Sequence, residues 1–289
     1  MRRGNLRKRD GGHRGPPTVP KSIAAIVPLL CRSPRLQFFG GDAARWRTRA
    51  LKTGSDVLAF RPMAAHSLKL DHLVVAARTL EEGVAYVADT LGIEPAGGGA
   101  HPSMRTHNRL FGLWGGAYLE VIAADPGAPR PADGRPRPCL FGLDAPATHA
   151  RLEQGPYLAH WVARVDRPRQ LELWQRQYPA RIARVVPMTR DDFGWRLTVP
   201  DDGALPAWRG AGDGVLPSLI QWNDARHPSD ALPHGGVALK ALKAAHPHAD
   251  TVREQLAWLN AAHLLDLDAG ETPALAAEFD TPKGARTLR

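Results

Sequence analysis

Beyond residue 66, short apolar runs alternate with amphipathic stretches, and the alternation repeats. Residues 70–76 (LDHLVVA) are apolar and rich in β-branched side chains, which predicts a strand. Residues 79–91 (TLEEGVAYVADTL) have helical spacing, with Thr79 placed as N-cap, Glu82 three positions on and Gly92 as the stop. Residues 95–105 are rich in Gly and Pro and predict a loop. Residues 108–114 and 118–124 then read as two strands around a Gly115-Gly116 turn.

Five prolines and two glycines in residues 125–138 mark a linker. After it the pattern restarts. Residues 158–165 predict a strand, 169–178 a helix, and 184–189, 195–199 and 216–222 three further strands. At an offset of 88 residues Leu70 falls on Leu158, His72 on His160 and Val74 on Val162. Such repetition predicts two modules related by pseudo-symmetry. A third, partial copy is expected at the end: a strand at 237–244, a helix at 249–260, and short strands at 263–268, 274–280 and 286–288 that extend the sheet.

Composition changes one part of this picture. The net charge of +9 is uneven: residues 1–62 hold 14 Lys and Arg against Asp10, Asp42 and Asp56, a local +11 that leaves −2 for the rest. The body gives no electrostatic case for nucleic-acid binding. Residues 1–66 read as a basic, disordered leader, with Met63 just before the first strand as a candidate true start. Two cysteines, Cys31 and Cys139, make neither a disulfide framework nor a cysteine zinc site. No run reaches the roughly 20 apolar residues of a membrane span, and a cytoplasmic body is expected.

Glu120 in the strand YLEVIA raises the question of chemistry. A buried carboxylate without a partner costs several kcal/mol, so Glu120 either pairs at an edge with Arg105 or Arg109 or has a partner inside. Strand alternation puts Leu70, His72, Val74 and Ala76 on one face and His160 on the corresponding face of the second module. Each module then offers a residue on its opening and its closing strand: His72 with Glu120, and His160 with Gln221. Two nitrogen and two oxygen donors of this kind suit a divalent ion. Taken singly, His72 reads as a core histidine bonded to backbone; its pairing with Glu120 and its repeat as His160 put ligation on an equal footing. His101, His107 and Asn108 flank a loop expected over the pocket mouth, either touching substrate or closing the loop. Arg196 and Arg190 are candidates to pair a substrate carboxylate. His227, in an HPSD turn, reads as structural, with pocket lining as the lesser reading, and Trp161, Trp195 and Trp222 read as core, with one of them a candidate cavity wall.

The stretches LDHLVVAARTLEEG, GGGAHPSMRTHN, YLEVIA, LAHWVAR and LPSLIQW resemble the vicinal oxygen chelate superfamily, and within it the glyoxalase-like domain proteins. The resemblance covers about residues 68–288. It implies an α+β fold of paired βαβββ modules whose curled, antiparallel-rich mixed sheets surround a metal. Module one would be 68–125, a linker 126–156, module two 157–224, and a partial third module 236–288. The resemblance places the ligands on His72, Glu120, His160 and Gln221, where a neutral amide departs from the commoner carboxylate. The expected cofactor is a divalent ion (Zn, Fe, Mn, Ni or Mg) or none, with Glu120 and His107 as candidate catalytic groups and His101, Asn108 and Arg196 as candidate substrate contacts. The expected activity is of lyase, isomerase or dioxygenase type on a small molecule with adjacent oxygens. A metal-free binding or sequestering protein is the alternative. The pocket is expected to be completed within one chain or across a homodimer.

Overall fold

A computed structural model describes residues 67–129 and 139–289. The basic leader with Met63 and Cys31, and residues 130–138 of the linker, lie outside the described residues. The first module is β1 (Lys69–Ala76), α1 (Leu80–Leu91), β2 (Gly97–His101), β3 (Thr106–Gly112) and β4 (Tyr118–Ala124). A short helix, α2 (Pro146–Leu152), follows. The second module is β5 (Tyr157–Arg164), α3 (Leu171–Gln177), β6 (Val185–Arg190), β7 (Phe193–Thr198) and β8 (Ser218–Trp222). The tail is β9 (Ala238–His246), α4 (Ala249–Leu259), β10 (Asp266–Ala269), β11 (Ala274–Thr281) and β12 (Gly284–Leu288).

Helix α1 starts and stops where its cap residues predict. Thr79 Oγ1 accepts the Glu82 N–H at 3.2 Å. Gly92 adopts φ 73° and donates its N–H to the Ala88 carbonyl, a geometry that favours glycine. The expected loop at 95–105 contains strand β2, which pairs with β3 from Gly97–Leu110 to His101–Thr106. Three consecutive glycines carry no apolar alternation, so pattern reading passes over this strand. Gly98 is needed there: at φ 139°, a Cβ would lie 2.2 Å from the Asn108 carbonyl oxygen.

The two modules form one eight-stranded sheet in the order β2-β3-β4-β1-β5-β8-β7-β6. Strand β1 runs parallel to β4 and β5 parallel to β8, while β1 and β5 pair antiparallel at the centre. That order is its own mirror under exchange of modules. The sheet curls until its ends approach: Arg190, closing β6, donates to Asn108 Oδ1 on β3 at 3.1 Å. One face packs Leu73, Val75, Val121 and Trp161 with the helices and tail. The other lines a cup with Val74, Ile122, Val162, Ile220, Trp195 and Trp222, into which Leu140 and Phe141 insert.

Two features depart from the alternation expected for these strands. Leu70 pairs with Ala163 and His72 with Val162, so Asp71 is an extra residue in β1. Such a bulge re-aims side chains, and Leu70 packs on the outer face instead of sharing the cup with His72. The tail does not extend the main sheet. It forms a separate four-stranded sheet, β10-β9-β11-β12, whose Leu242, Ala277, Phe279 and Leu288 pack into the outer-face core. Its strand-helix-strand order matches a module, but its sheet order does not. Among the described residues no helix is long and apolar enough to cross a membrane.

Candidate functional site

The cup floor brings His72 on β1 and Glu120 on β4 together, because β1 and β4 run side by side with His72 opposite Tyr118 and Val74 opposite Glu120. His72 Nε2 lies 3.5 Å from Glu120 Oε2. Glu120 Oε1 accepts the Asn108 side-chain amide at 2.5 Å. The orientation of Asn108 is set from its other end, where Oδ1 accepts from the Gly99 backbone N–H at 2.9 Å and from Arg190. His101 Nε2 sits 3.5 Å from the same amide, and its Nδ1 contacts Thr106 Oγ1 at 3.1 Å.

Behind His72 stands a second buried carboxylate. Asp71 Oδ1 accepts from His72 Nδ1 at 2.7 Å. Its Oδ2 accepts from Trp222 Nε1 at 2.9 Å and His227 Nε2 at 3.0 Å. Tyr118 stacks on the His72 ring with centroids 4.6 Å apart. No lysine or arginine neutralises Asp71 among these contacts; its partners are His72, His227 and Trp222.

Electrostatics follow from this packing. Burial alone would depress His72, but the hydrogen bonds and charges of Asp71 and Glu120 push it up to about 9. Burial alone would raise Glu120, yet His72 and Asn108 hold it down to about 2. Asp71 is likewise held well below the carboxylate range, against burial, by His227 and His72. At neutral pH the site is an imidazolium between two carboxylates. Burial pushes His101 down, towards its neutral form, and pushes the Tyr118 phenol well above its ordinary value.

His72, His101, Asn108, Tyr118 and Glu120 form the polar wall of a cavity of ≈ 30 Å³, the room of about one water molecule. The facing wall is Phe141, Met188, Trp195 and Trp222, with Arg190 as its cation. Beside it, a cleft of ≈ 620 Å³ is lined by Arg164, Arg167, Arg226, His227 and Ser229, and Trp222 borders both spaces.

Several expected residues stand elsewhere. His160 is buried with both ring nitrogens engaged: Nδ1 on the Gly214 carbonyl at 3.1 Å, Nε2 accepting the Ser218 backbone N–H at 3.1 Å. Burial holds it neutral, at about 3. Gln221 faces away from Glu120. Its Oε1 accepts the Leu171 N–H that opens α3, and its Nε2 donates to the Val165 and Arg169 carbonyls. The module exchange that carries His72 to His160 and Val74 to Val162 pairs Val162 with Ser218. Ser218, not Gln221, is therefore the counterpart of Glu120, and its Oγ lies 3.0 Å from His160 Nε2. Strand alternation puts His107 on the opposite side of β3 from Asn108, against Ala100 and Ala123. Arg196 points outward to Glu172 and Asn223, at 2.9 and 2.6 Å. Arg190 is the arginine at the cavity.

These positions test the fit of the implied metal. A resident zinc-like ion needs three or four protein donors around one point. His72 and Glu120 converge, but His160 spends its lone pair on a backbone N–H, Gln221 spends its amide on α3, and Arg190 puts a fixed cation on the wall. Among the described residues no group of three or more His, Cys, Asp or Glu is placed to hold an ion. The donor set does not fit the expected four-ligand ion.

Trp195 and Trp222 wall the cavity as well as filling the core, and the sequence pattern does not single out Asp71 or the bond that His227 makes with it. Asp71 had a signal, since it too is a carboxylate in an apolar strand. His227 had none, being 156 residues from its partner.

Residues 70–260 match the family described as a glyoxalase-like domain. A hypothetical protein from Staphylococcus aureus is similar in structure at 14% identity, with 71% of this chain and 87% of that chain covered and a TM-score of 0.46. The methylmalonyl-CoA epimerase of Mycobacterium tuberculosis is similar at 17% identity, 57% and 95% coverage and a TM-score of 0.35. That of Streptomyces coelicolor, in complex with 2-nitronate-propionyl-CoA, has 16% identity, 56% and 100% coverage and a TM-score of 0.33. No curated protein matches the chain. With the family match spanning residues 70–260 and two βαβββ modules joined in one curled sheet, the chain belongs to the glyoxalase-like domain family of the vicinal oxygen chelate superfamily.

Proposed function

We propose that the cup binds a small carbonyl- or carboxylate-bearing molecule and moves a proton on it through Glu120 and His72, without a resident metal ion. One observation carries this reading: a buried carboxylate and a buried imidazolium face each other across 3.5 Å on the wall of a cavity. A charge-assisted N–H···O bond normally closes to about 2.7–2.9 Å. The longer separation leaves the pair open to a ligand atom. Glu120 is the acceptor for a proton beside a carbonyl; the C–H electron pair becomes the C=C bond of an enolate and the carbonyl π pair moves onto oxygen, which takes a hydrogen bond from His72. Arg190 offers the charge complement to a substrate carboxylate. A ligand that draws His72 away from Glu120 also raises the carboxylate's basicity, since His72 is what holds it down. This is isomerase- or lyase-type chemistry, and it requires the Phe141, Met188 and Trp195 wall to give way, since the cavity holds little more than a water.

The test is deuterium incorporation from D2O into a panel of short α-hydroxyaldehydes and 2-oxo acids, followed by NMR with chelator present. Incorporation by the wild type and its loss in Glu120→Gln support the proposal. Binding without incorporation would favour a sequestering protein, and incorporation that chelator abolishes would overturn metal independence.

A further inference from the structure

His227 lies outside the cavity, at the head of the turn after β8, where it caps residues Pro228–Asp230. Its tautomer is fixed by its neighbours. The Ser229 backbone N–H lies 3.3 Å from Nδ1. A backbone N–H can only donate, so Nδ1 is an acceptor and Nε2 carries the proton. Nε2 therefore donates to Asp71 Oδ2. Trp222 Nε1, which is a donor only, meets the same oxygen. Two fixed donors on one oxygen set the plane of the carboxylate and aim Oδ1 at His72 Nδ1. The imidazole so held presents Nε2 to Glu120.

We propose that His227 is a positioning residue for the His72–Glu120 pair, acting through Asp71. The simpler reading is that His227 only caps its turn. The cap uses Nδ1 and the backbone N–H, which donates to Asp230 Oδ2 at 2.9 Å; the bond from Nε2 to Asp71 adds nothing to it. Both donors on Asp71 Oδ2 line the open cleft, and Trp222 lines the buried cavity as well, so the carboxylate that orients His72 is held at the border of the two spaces. For its catalytic consequence the proposal rests on His72 and Glu120 being the acid–base pair. Its geometry stands without that reading.

The experiment uses the full chain labelled with ¹⁵N-histidine and reads solvent exchange of the His72 Nδ1 proton. His227→Asn retains a side chain suited to the cap position but too short to reach Asp71. Asp230→Ala weakens the cap and leaves the imidazole on Asp71. The expected result is exchange faster by about tenfold or more in His227→Asn, up to loss of the signal, the scale of one hydrogen bond to a charged group. Asp230→Ala should stay within about twofold. Unchanged exchange in His227→Asn, or an equal change in Asp230→Ala, would overturn the proposal. Should His227→Asn fail to fold, Trp222→Phe removes the other donor from the same oxygen and is expected to speed exchange likewise; no change there overturns the idea too. Absence of deuterium incorporation into substrates, with this contrast intact, would remove only the catalytic reading.

Discussion

His72 lies between two carboxylates, with Nδ1 2.7 Å from Asp71 Oδ1 and Nε2 3.5 Å from Glu120 Oε2. All three side chains are buried. Asp71 is anchored by Trp222 and His227, and Glu120 by Asn108.

Stability should peak near pH 6.5. His72 is raised from 6.5 to about 9, so its contribution is complete below 6.5 and is lost as pH rises through 9. Glu120 is lowered from 4.5 to about 2, so its contribution is present above 4.5 and is lost as pH falls towards 2. His160 stays neutral down to about 3 while the unfolded chain takes up a proton from 6.5, which removes stability on the acid side. Melting temperature against pH measures this. A curve that stays flat up to pH 9 would show that His72 is not the cation described.

Removing Glu120 should leave a buried imidazolium facing an empty wall. Glu120→Ala is expected to lower stability by about 3–5 kcal/mol at neutral pH, the usual penalty for breaking a buried charge pair. The other carboxylate, Asp71, remains on Nδ1, and the His72 pKa should fall. Denaturant unfolding of both forms, repeated above the His72 pKa, should show the penalty shrinking. A penalty independent of pH would mean the contact is packing, not charge.

Gln221→Glu separates two roles. As a metal ligand a carboxylate there would strengthen ion binding. As the support of α3 it is harmful, because a carboxylate cannot donate to the Val165 and Arg169 carbonyls. The expected result is a loss of about 1–3 kcal/mol, faster hydrogen exchange at the Leu171 amide, and no gain in zinc or manganese affinity by calorimetry. A gain in affinity would reinstate the ligand role.

His160→Ala should likewise act on the fold. It strips the bonds to Gly214 and Ser218 and opens a gap beside Phe141, whose ring centroid is 4.9 Å away. A loss of about 2–4 kcal/mol is expected, with metal content of the purified protein well below one equivalent in wild type and variant alike. One equivalent in wild type, lost in His160→Ala, would contradict this.

Much of the architecture was legible because it rests on local signals. Thr79, Glu82 and Gly92 bound α1, and the 88-residue offset links modules that do exchange under the sheet's symmetry. Glu120 stands out in sequence as a carboxylate in an apolar strand. Asp71 is another, but the bulge at this position hides its direction, since Leu70 is apolar on either face. Nothing in residues 216–222 marks which side chain stands opposite Val162; backbone pairing decides that, and it selects Ser218 over Gln221. Arg190 and Arg196 look alike in sequence. Only the curl of the sheet, which brings the end of β6 over Asn108, tells them apart. The contact from His227 to Asp71 is a tertiary event with no local trace.

The most direct measurement is the titration of His72 by ¹⁵N NMR in protein dialysed against chelator, followed by addition of zinc. The expected result is an imidazolium with a pKa near 9 whose signals do not shift on adding one equivalent of zinc. A pKa at the ordinary 6.5, or stoichiometric loss of the His72 signals on zinc addition, would contradict a metal-independent His72–Glu120 pair.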